Sequence, residues 1–183
     1  MTAPAEPIEP VGPETFRSLL RQQAASVAVV TAAGAPPVGF TATSFTSVSL
    51  QPPLVSFCLA RSSSSWPAVA GAAHVAVHLL GEDQRDIART FATSGIDRFT
   101  ASPGWRNGPY GVPLLPGPIA WLLCRVTQRV PAGDHVIVLA EPLTGQQTGG
   151  APLLYHRGRY TGLRPPTQPT EGGTGAVGLP SPP

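Results

Sequence analysis

Short apolar runs broken by turn residues constrain the fold of this chain more than any other feature. Val27-Ala28-Val29-Val30-Thr31 is rich in β-branched residues and is closed by Gly34-Ala35-Pro36-Pro37. VGFTATSF and SVSL follow, Pro52-Pro53 interrupts, and LVSFCLA resumes. Further along, HVAVHLL alternates, and IAWLLCRVTQRV and HVIVLAEPL are joined by the hairpin signal Pro131-Ala132-Gly133-Asp134. LLYHRGRYTGL reads as one last strand. Turn chemistry recurring at roughly eight to twelve residues between such runs is the pattern of an antiparallel barrel or sandwich. Strands and helices do not alternate at β-α-β spacing, which argues against a doubly wound sheet. The expectation is an all-β, antiparallel fold with a few short helices.

Three short helices fit the remaining pattern. Pro13 suits a first helical position, and Phe16, Leu19 and Leu20 then share one face. Ser62 to Ser65 followed by Trp66-Pro67 read as an N-cap and helix start, running to about Gly71. Between Glu82 and Thr93, Ile87, Ala88, Phe91 and Ala92 recur at helical spacing, with acids in the first turn and Arg89 near the end. Residues 94–117, rich in Gly and Pro, read as a long loop of the kind that often carries function. Four of the 23 prolines fall before residue 14 and six after residue 163. The tail RPPTQPTEGGTGAVGLPSPP has too few large apolar side chains to offset ordering entropy. The expected organisation is therefore a disordered segment 1–13, a folded domain 14–163 and a disordered Pro/Gly-rich tail 164–183.

Composition removes several function classes. All 12 basic side chains are Arg. Without lysine there is no Walker-type phosphate loop, no lysine Schiff base and no lysine nucleophile. Any anion must be held by Arg, His, hydroxyls or backbone N–H groups. A net charge of +2 with 12% charged residues gives no footing for nucleic acid. The N-terminal residues lack a basic region followed by an apolar run, and no apolar stretch is long enough to span a bilayer. Cys58 and Cys124 lie in apolar runs and read as inert core thiols, with a disulfide or a catalytic cysteine as alternatives. A reducing, cytoplasmic setting is expected, with no membrane partner.

Motif searches sharpen this mainly by exclusion. Gly173, Gly175 and Gly178 match a dinucleotide fingerprint but follow no strand and open no helix. His74 and His78 share a strand face at roughly 13 Å, taking ~3.3 Å per residue, too far to share a metal. No metal is expected. Hydroxyls are concentrated at Thr41, Thr43, Ser44, Thr46, Ser47, Ser49, Ser56 and Ser62 to Ser65. They either line a solvent-facing strand and cap a helix or, where that helix begins, hold a phosphate. Arg89 either offsets such a phosphate or merely complements the helix dipole. In Gly133-Asp134-His135 the imidazole either sits at the surface or projects into a cleft beside a flat ring.

SVAVVTAAGAPPVGFTATSFTSVSLQPPLVSFCLARSSSSWPAV, then HVAVHLLGEDQRDIARTFA, AGDHVIVLAEPL and LLYHRGRYTGL, resembles the small flavin reductases with an FMN-binding split barrel. These are reductase components of two-component flavin monooxygenases, and the likeness covers about residues 14–163. GFTATSFTSVSLQPPL is its most specific part and GDH a second match. The resemblance implies a Greek-key split-barrel homodimer that binds FMN or FAD, takes hydride from NADH or NADPH, and supplies reduced flavin to a separate monooxygenase. It implies that Thr41, Ala42, Thr43, Ser44 and Phe45 run along the flavin ring and that Leu59 and Ala60 pass close to it. Ser64 and Ser65 reach the phosphate, Arg89 and Phe91 complete the surroundings, and His135 and Tyr160 shape the nicotinamide pocket. Thr43 stands where the family often has Asn, and Trp66 where a small polar residue is common. Those departures leave open a flavin-binding protein with chemistry of its own, or a carrier; an interaction module using the tail is a third reading. Hydride transfer between two rings requires no protein acid or base, so no catalytic side chain is expected.

Overall fold

The computed structural model describes residues 9–163. Residues 1–8 and 164–183 lie outside them, and with them most of the expected N-terminal segment, the whole expected tail and the glycines at 173, 175 and 178. In chain order the elements are α1 (Pro13–Leu20), β1 (Ala25–Ser26), β2 (Ala28–Ala32), β3 (Val38–Ala42), β4 (Thr46–Leu50), β5 (Pro53–Ala60) and α2 (Trp66–Gly71). After them come β6 (His74–Leu79), α3 (Arg85–Ala92), β7 (Arg106–Asn107), β8 (Pro113–Leu114), β9 (Ala120–Ala132), β10 (His135–Gln147), β11 (Leu154–His156) and β12 (Arg159–Thr161).

Seven strands form one antiparallel sheet in the order β3-β2-β6-β9-β10-β5-β4. Its two edge strands, β3 and β4, are consecutive in the chain, and residues 43–45 alone join them. A flat sheet of that width would hold its edges nearly 30 Å apart at ~4.8 Å per strand. Four residue steps reach at most about 14 Å. The sheet therefore curls until its edges meet, which is the strand arrangement of a split barrel. Ser44 fastens the junction: the Cys58 N–H donates to its Oγ at 2.8 Å, and that hydroxyl donates to the Cys58 carbonyl at 3.4 Å.

Alternation distributes side chains between the two faces. Inside the curl, Ala28, Val30 and Ala32 of β2 pack with Phe40, Phe57, Val75, Val77, Val136 and Val138. On the outer face Val27 and Val29 meet Leu80, Ala88, Phe91, Phe99, Leu115 and Leu153 beneath α3. Covering both faces buries every residue of β2. Each fully buried Val, Leu or Phe side chain contributes roughly 1.5–3 kcal/mol.

Details of the expected elements shift. The 94–117 segment is not a bare loop; it carries the small β7–β8 pair and a 3-10 turn over Pro109–Gly111. LLYHRGRYTGL is two strands, β11 and β12, reversed at Arg157 and Gly158, both at positive φ, and paired with β1 in a separate sheet. The β9–β10 hairpin turns in two residues at Gly133, whose φ of 63° suits glycine. Cys124 is buried, which pushes its thiol up to about 12, and is free. Cys58 is also free but only half-buried, so it is not the core thiol expected. No helix among the described residues is long and apolar enough to cross a membrane.

His78 lies fully buried on the outer face of β6. Its Nδ1 lies 3.1 Å from the Val29 carbonyl, and Nε2 accepts the Leu115 N–H at 3.1 Å. Both polar atoms are thus used in pinning the 112–115 segment to the sheet, and burial pushes the imidazole down to about 4. His74, on the same strand, instead stacks on Tyr110 with ring centres 3.7 Å apart.

Candidate active site

A groove of about 400 Å³ opens where the curled sheet closes. Its walls come from four places. The end of β3 and the link to β4 supply Phe40, Thr41, Ala42, Thr43 and Ser44. β5 and the turn after it supply Cys58, Leu59, Ala60 and Ser63. The end of α3 and the following segment supply Phe91, Ala92, Ser94 and Arg98, and β10 adds His135.

Strand pairing explains the convergence. β5 and β10 pair so that Ala60 faces His135 and Leu59 faces Val136. The two-residue turn thereby delivers His135 beside the end of β5. Its Nδ1 lies 2.7 Å from Asp134 Oδ1, and that hydrogen bond, with the charge of the imidazole, holds the Asp134 carboxyl below its ordinary range. With Nδ1–H given to Asp134, Nε2 is the polar atom left for a ligand. Thr41 Oγ1 donates to the Ala88 carbonyl at 2.7 Å and ties β3 to α3, so the close approach of helix and strand sets the groove's width. Among the described residues the N–H groups of Thr43, Ser44 and Phe45 donate to no protein acceptor. They form a row of backbone donors beside the groove, suited to an oxygen carrying negative charge.

Eight of the expected residues line this groove: Thr41, Ala42, Thr43, Ser44, Leu59, Ala60, Phe91 and His135. The other five stand elsewhere. Phe45 packs, half-buried, against the inner core. Ser65 stands at the N-cap of α2 but makes no side-chain cap bond; its hydroxyl donates to the Gly39 carbonyl at 3.3 Å and the residue is buried. Ser64 lies with it in a neighbouring groove. Arg89 is two-thirds exposed and pairs with Asp86 at 3.3 Å, the helix-end arrangement rather than an anion contact. Tyr160 packs edge-on against Tyr155 at 5.3 Å and on the outer core. Burial first, then the nearby Tyr155, raises its phenol, with Arg89 opposing.

The arginine in the groove is Arg98. It donates through Nε to Thr93 O at 2.9 Å, and through one terminal nitrogen to Gly39 O at 2.7 Å and Ser65 Oγ at 3.1 Å. No carboxylate pairs with it among the described residues. The adjacent Asp97 is turned to the Thr100 hydroxyl and the Thr100 and Phe99 N–H groups, which hold its carboxyl low. Arg98 is thus a partly desolvated cation fixed by neutral oxygens, with its second terminal nitrogen left over. Burial lowers its pKa, yet a guanidinium stays charged. Walls of mixed polar and apolar side chains, free backbone donors and one uncompensated guanidinium together fit a ring system carrying a phosphate.

Comparison with known proteins accords with that donor set. Residues 20–164 match the flavin reductase like domain. The chain belongs to this family. An NADH:FMN oxidoreductase of Rhodococcus erythropolis is 44% identical over 151 residues, 79% of each chain. The reductase subunit HsaB of a flavin-dependent monooxygenase from Mycobacterium tuberculosis is 36% identical over 85% of this chain and 84% of its own. Among solved structures, the NADH:FAD oxidoreductase SgcE6 of Streptomyces globisporus, in complex with NAD and FAD fragments, superposes with a TM-score of 0.81. It is 34% identical and matches 88% of this chain and 99% of that one.

The sequence reading placed none of Arg98, Cys58, Ala92 and Ser94 in the groove, while Ser63 belongs to the Ser62 to Ser65 cluster it had singled out for a phosphate. Cys58 immediately precedes Leu59, so extending the β5 segment by one residue would have reached it. Arg98 carried no such signal, because its partners Gly39 and Ser65 lie 59 and 33 positions away.

Proposed function

We propose that this protein is an NAD(P)H-dependent flavin reductase that supplies reduced FMN or FAD to a separate monooxygenase. The observation that carries the reading is the single groove uniting Thr41 to Ser44, Leu59, Ala60, Phe91 and His135 with an unpaired Arg98, in a chain of this family. A bound flavin supplies the chemistry by accepting a hydride from the reduced nicotinamide. Everything else falls to binding and orientation. The Thr43, Ser44 and Phe45 N–H groups would hold an electron-rich oxygen of a bound flavin and would favour negative charge on it. Arg98, aided by the Ser63 hydroxyl, holds the phosphate; Ser64 and Ser65 act beside it, Ser65 by positioning Arg98. His135 borders the nicotinamide, with Asp134 fixing its ring.

We also infer a homodimer. No residue of α1 is buried, and Phe16, Leu19 and Leu20 are each about half-exposed. Phe16 and Leu20 line a second groove of about 480 Å³, together with Thr43, Ser44 and Tyr155. A second copy covering that face would close the open end of the flavin groove. Two unpaired thiols suit a cytoplasmic setting.

Mixing purified protein, NADH or NADPH and FMN while following the nicotinamide absorbance tests the activity. Flavin-dependent oxidation is expected; none with either nucleotide overturns the reading. In the same assay His135→Ala should raise the apparent KM for the nicotinamide more than it lowers kcat.

A further inference from the structure

Three buried side chains hold the backbone of Pro113 to Pro116 against the sheet. Thr31 Oγ1 donates to the Pro113 carbonyl at 2.6 Å, the Leu115 N–H donates to His78 Nε2 at 3.1 Å, and Gln84 Nε2 donates to the Pro116 carbonyl at 2.9 Å. They come from β2, from β6 and from the residue before α3, and Thr31 and His78 are wholly buried. A buried hydrogen bond returns little net stability, but a fully satisfied set fixes one arrangement of the chain. None of the three side chains lines the flavin groove, and none is bonded to Arg98.

We infer that Thr31, His78 and Gln84 are positioning residues for the flavin phosphate, because the segment they anchor supports Phe99 and Phe99 fixes Arg98. This rests on the flavin reading of the groove and on Arg98 as its phosphate contact. Leu115 shares one buried cluster with Phe91 and Phe99. Phe99 stands edge-on to Phe91 at 5.3 Å and to Trp105 at 5.1 Å, and it follows Arg98 directly in the chain. Its N–H donates to Asp97 Oδ1 at 3.0 Å, so the residues on both sides of Arg98 are held. The guanidinium is thereby aimed at Gly39 O and Ser65 Oγ. Thr31 acts from the other side as well. It pairs with Gly39 between β2 and β3, and its methyl carbon stands 3.3 Å from where a Cβ on Gly39 would lie. One threonine thus steadies both the segment beneath Phe99 and the strand whose carbonyl receives Arg98.

Thr31→Val tests the positioning role. It puts a methyl where the hydroxyl lies 2.6 Å from Pro113 O, and carbon approaches such an oxygen only to about 3.3 Å, so the segment has to retreat. Thr31→Ser keeps the hydroxyl, and Gln84→Leu removes a second anchor. Circular dichroism checks folding, and calorimetry measures FMN and riboflavin, which differ only by the phosphate. Thr31→Val and Gln84→Leu should each weaken FMN about fivefold and riboflavin less than about twofold, while Thr31→Ser stays within about twofold of wild type for both. In an Arg98→Ala background Thr31→Val should no longer change FMN affinity, because the effect passes through that side chain. Gln84→Leu carries the same comparisons if Thr31→Val does not fold. Equal weakening of FMN and riboflavin makes the anchors merely structural and overturns the inference. So does an FMN loss of undiminished size without Arg98, or unchanged FMN affinity in both anchor variants. In each of those cases the flavin reading stands; wild type that binds no flavin overturns both.

Discussion

Replacing His78 by Gln should flatten the acid side of this protein's stability curve. The imidazole is fully buried, with Nδ1 directed at Val29 O and Nε2 receiving the Leu115 N–H. That arrangement needs a neutral ring, because a protonated Nε2 would turn a donor against the Leu115 N–H. Burial accordingly moves the pKa from 6.5 to about 4 in the folded state. The folded value lies below the unfolded one, so the unfolded chain binds the proton more readily. The neutral ring's contribution is complete above pH 6.5 and declines as pH falls toward 4. The loss is about 1.4 kcal/mol per pH unit inside that window, on the order of 3 kcal/mol across it. Gln can supply one donor and one acceptor but does not titrate. At neutral pH it should cost about 1–3 kcal/mol for imperfect hydrogen bonding. Urea unfolding of wild type and His78→Gln at pH 7.5, 5.5 and 4.5 measures both effects. Carboxylates titrate in both proteins, so the difference between the two curves isolates the histidine. Stability curves that fall in parallel from pH 7.5 to 4.5 would refute the buried neutral ring, and with it the account of how the 112–115 segment is pinned.

Other expectations concern the groove and its closure. In Gly39→Ala the new Cβ would stand 2.6 Å from Phe91 Cε1 and 2.9 Å from Cδ1, with Phe99 behind that ring. It should cost about 1–3 kcal/mol by overpacking and also weaken flavin binding, because Phe91 is a wall of the groove; calorimetry and thermal melts read the two losses. Ser44→Ala removes both hydrogen bonds that fasten the β3–β4 link to β5, and a melting temperature lowered by about 2–4 °C is expected for the ~1 kcal/mol involved. Arg98→Ala should weaken FMN roughly tenfold while riboflavin, which has no phosphate, changes little; equal loss for both would remove Arg98 from the phosphate site. Deleting residues 164–183 should leave reductase turnover unchanged, and lost turnover would move the domain boundary into the tail.

Local chemistry made most of the elements legible in the sequence. Alternation in HVAVHLL marks β6, and Gly133 between two apolar runs marks the β9–β10 turn, because one strand face or one turn uses only neighbouring residues. Pro13 at the head of α1 and Trp66-Pro67 at the head of α2 are signals of the same local kind. LLYHRGRYTGL misled for the opposite reason: its reversal uses Arg157 at a φ of 50°, a position where sequence favours glycine or asparagine.

The family resemblance, not the strand pattern, named Thr41 to Ser44 and Leu59-Ala60, which line the groove, and Phe45, which packs against the inner core instead. The choice of anion-binding arginine was not legible. Arg89 looked suitable because it follows a helical face, whereas the fold turns it toward Asp86 and solvent. Arg98 is selected by carbonyls and a hydroxyl brought from β3 and the start of α2, contacts that exist only after the sheet has curled. Sequence alone determined the antiparallel strands and their turns, which depend on residues within a few positions of one another, and, through the absence of lysine, that any bound anion must be held by other groups. Tertiary structure alone decided which arginine stands in the groove and how two grooves meet there, because that depends on which distant edges the closing sheet brings within hydrogen-bonding reach.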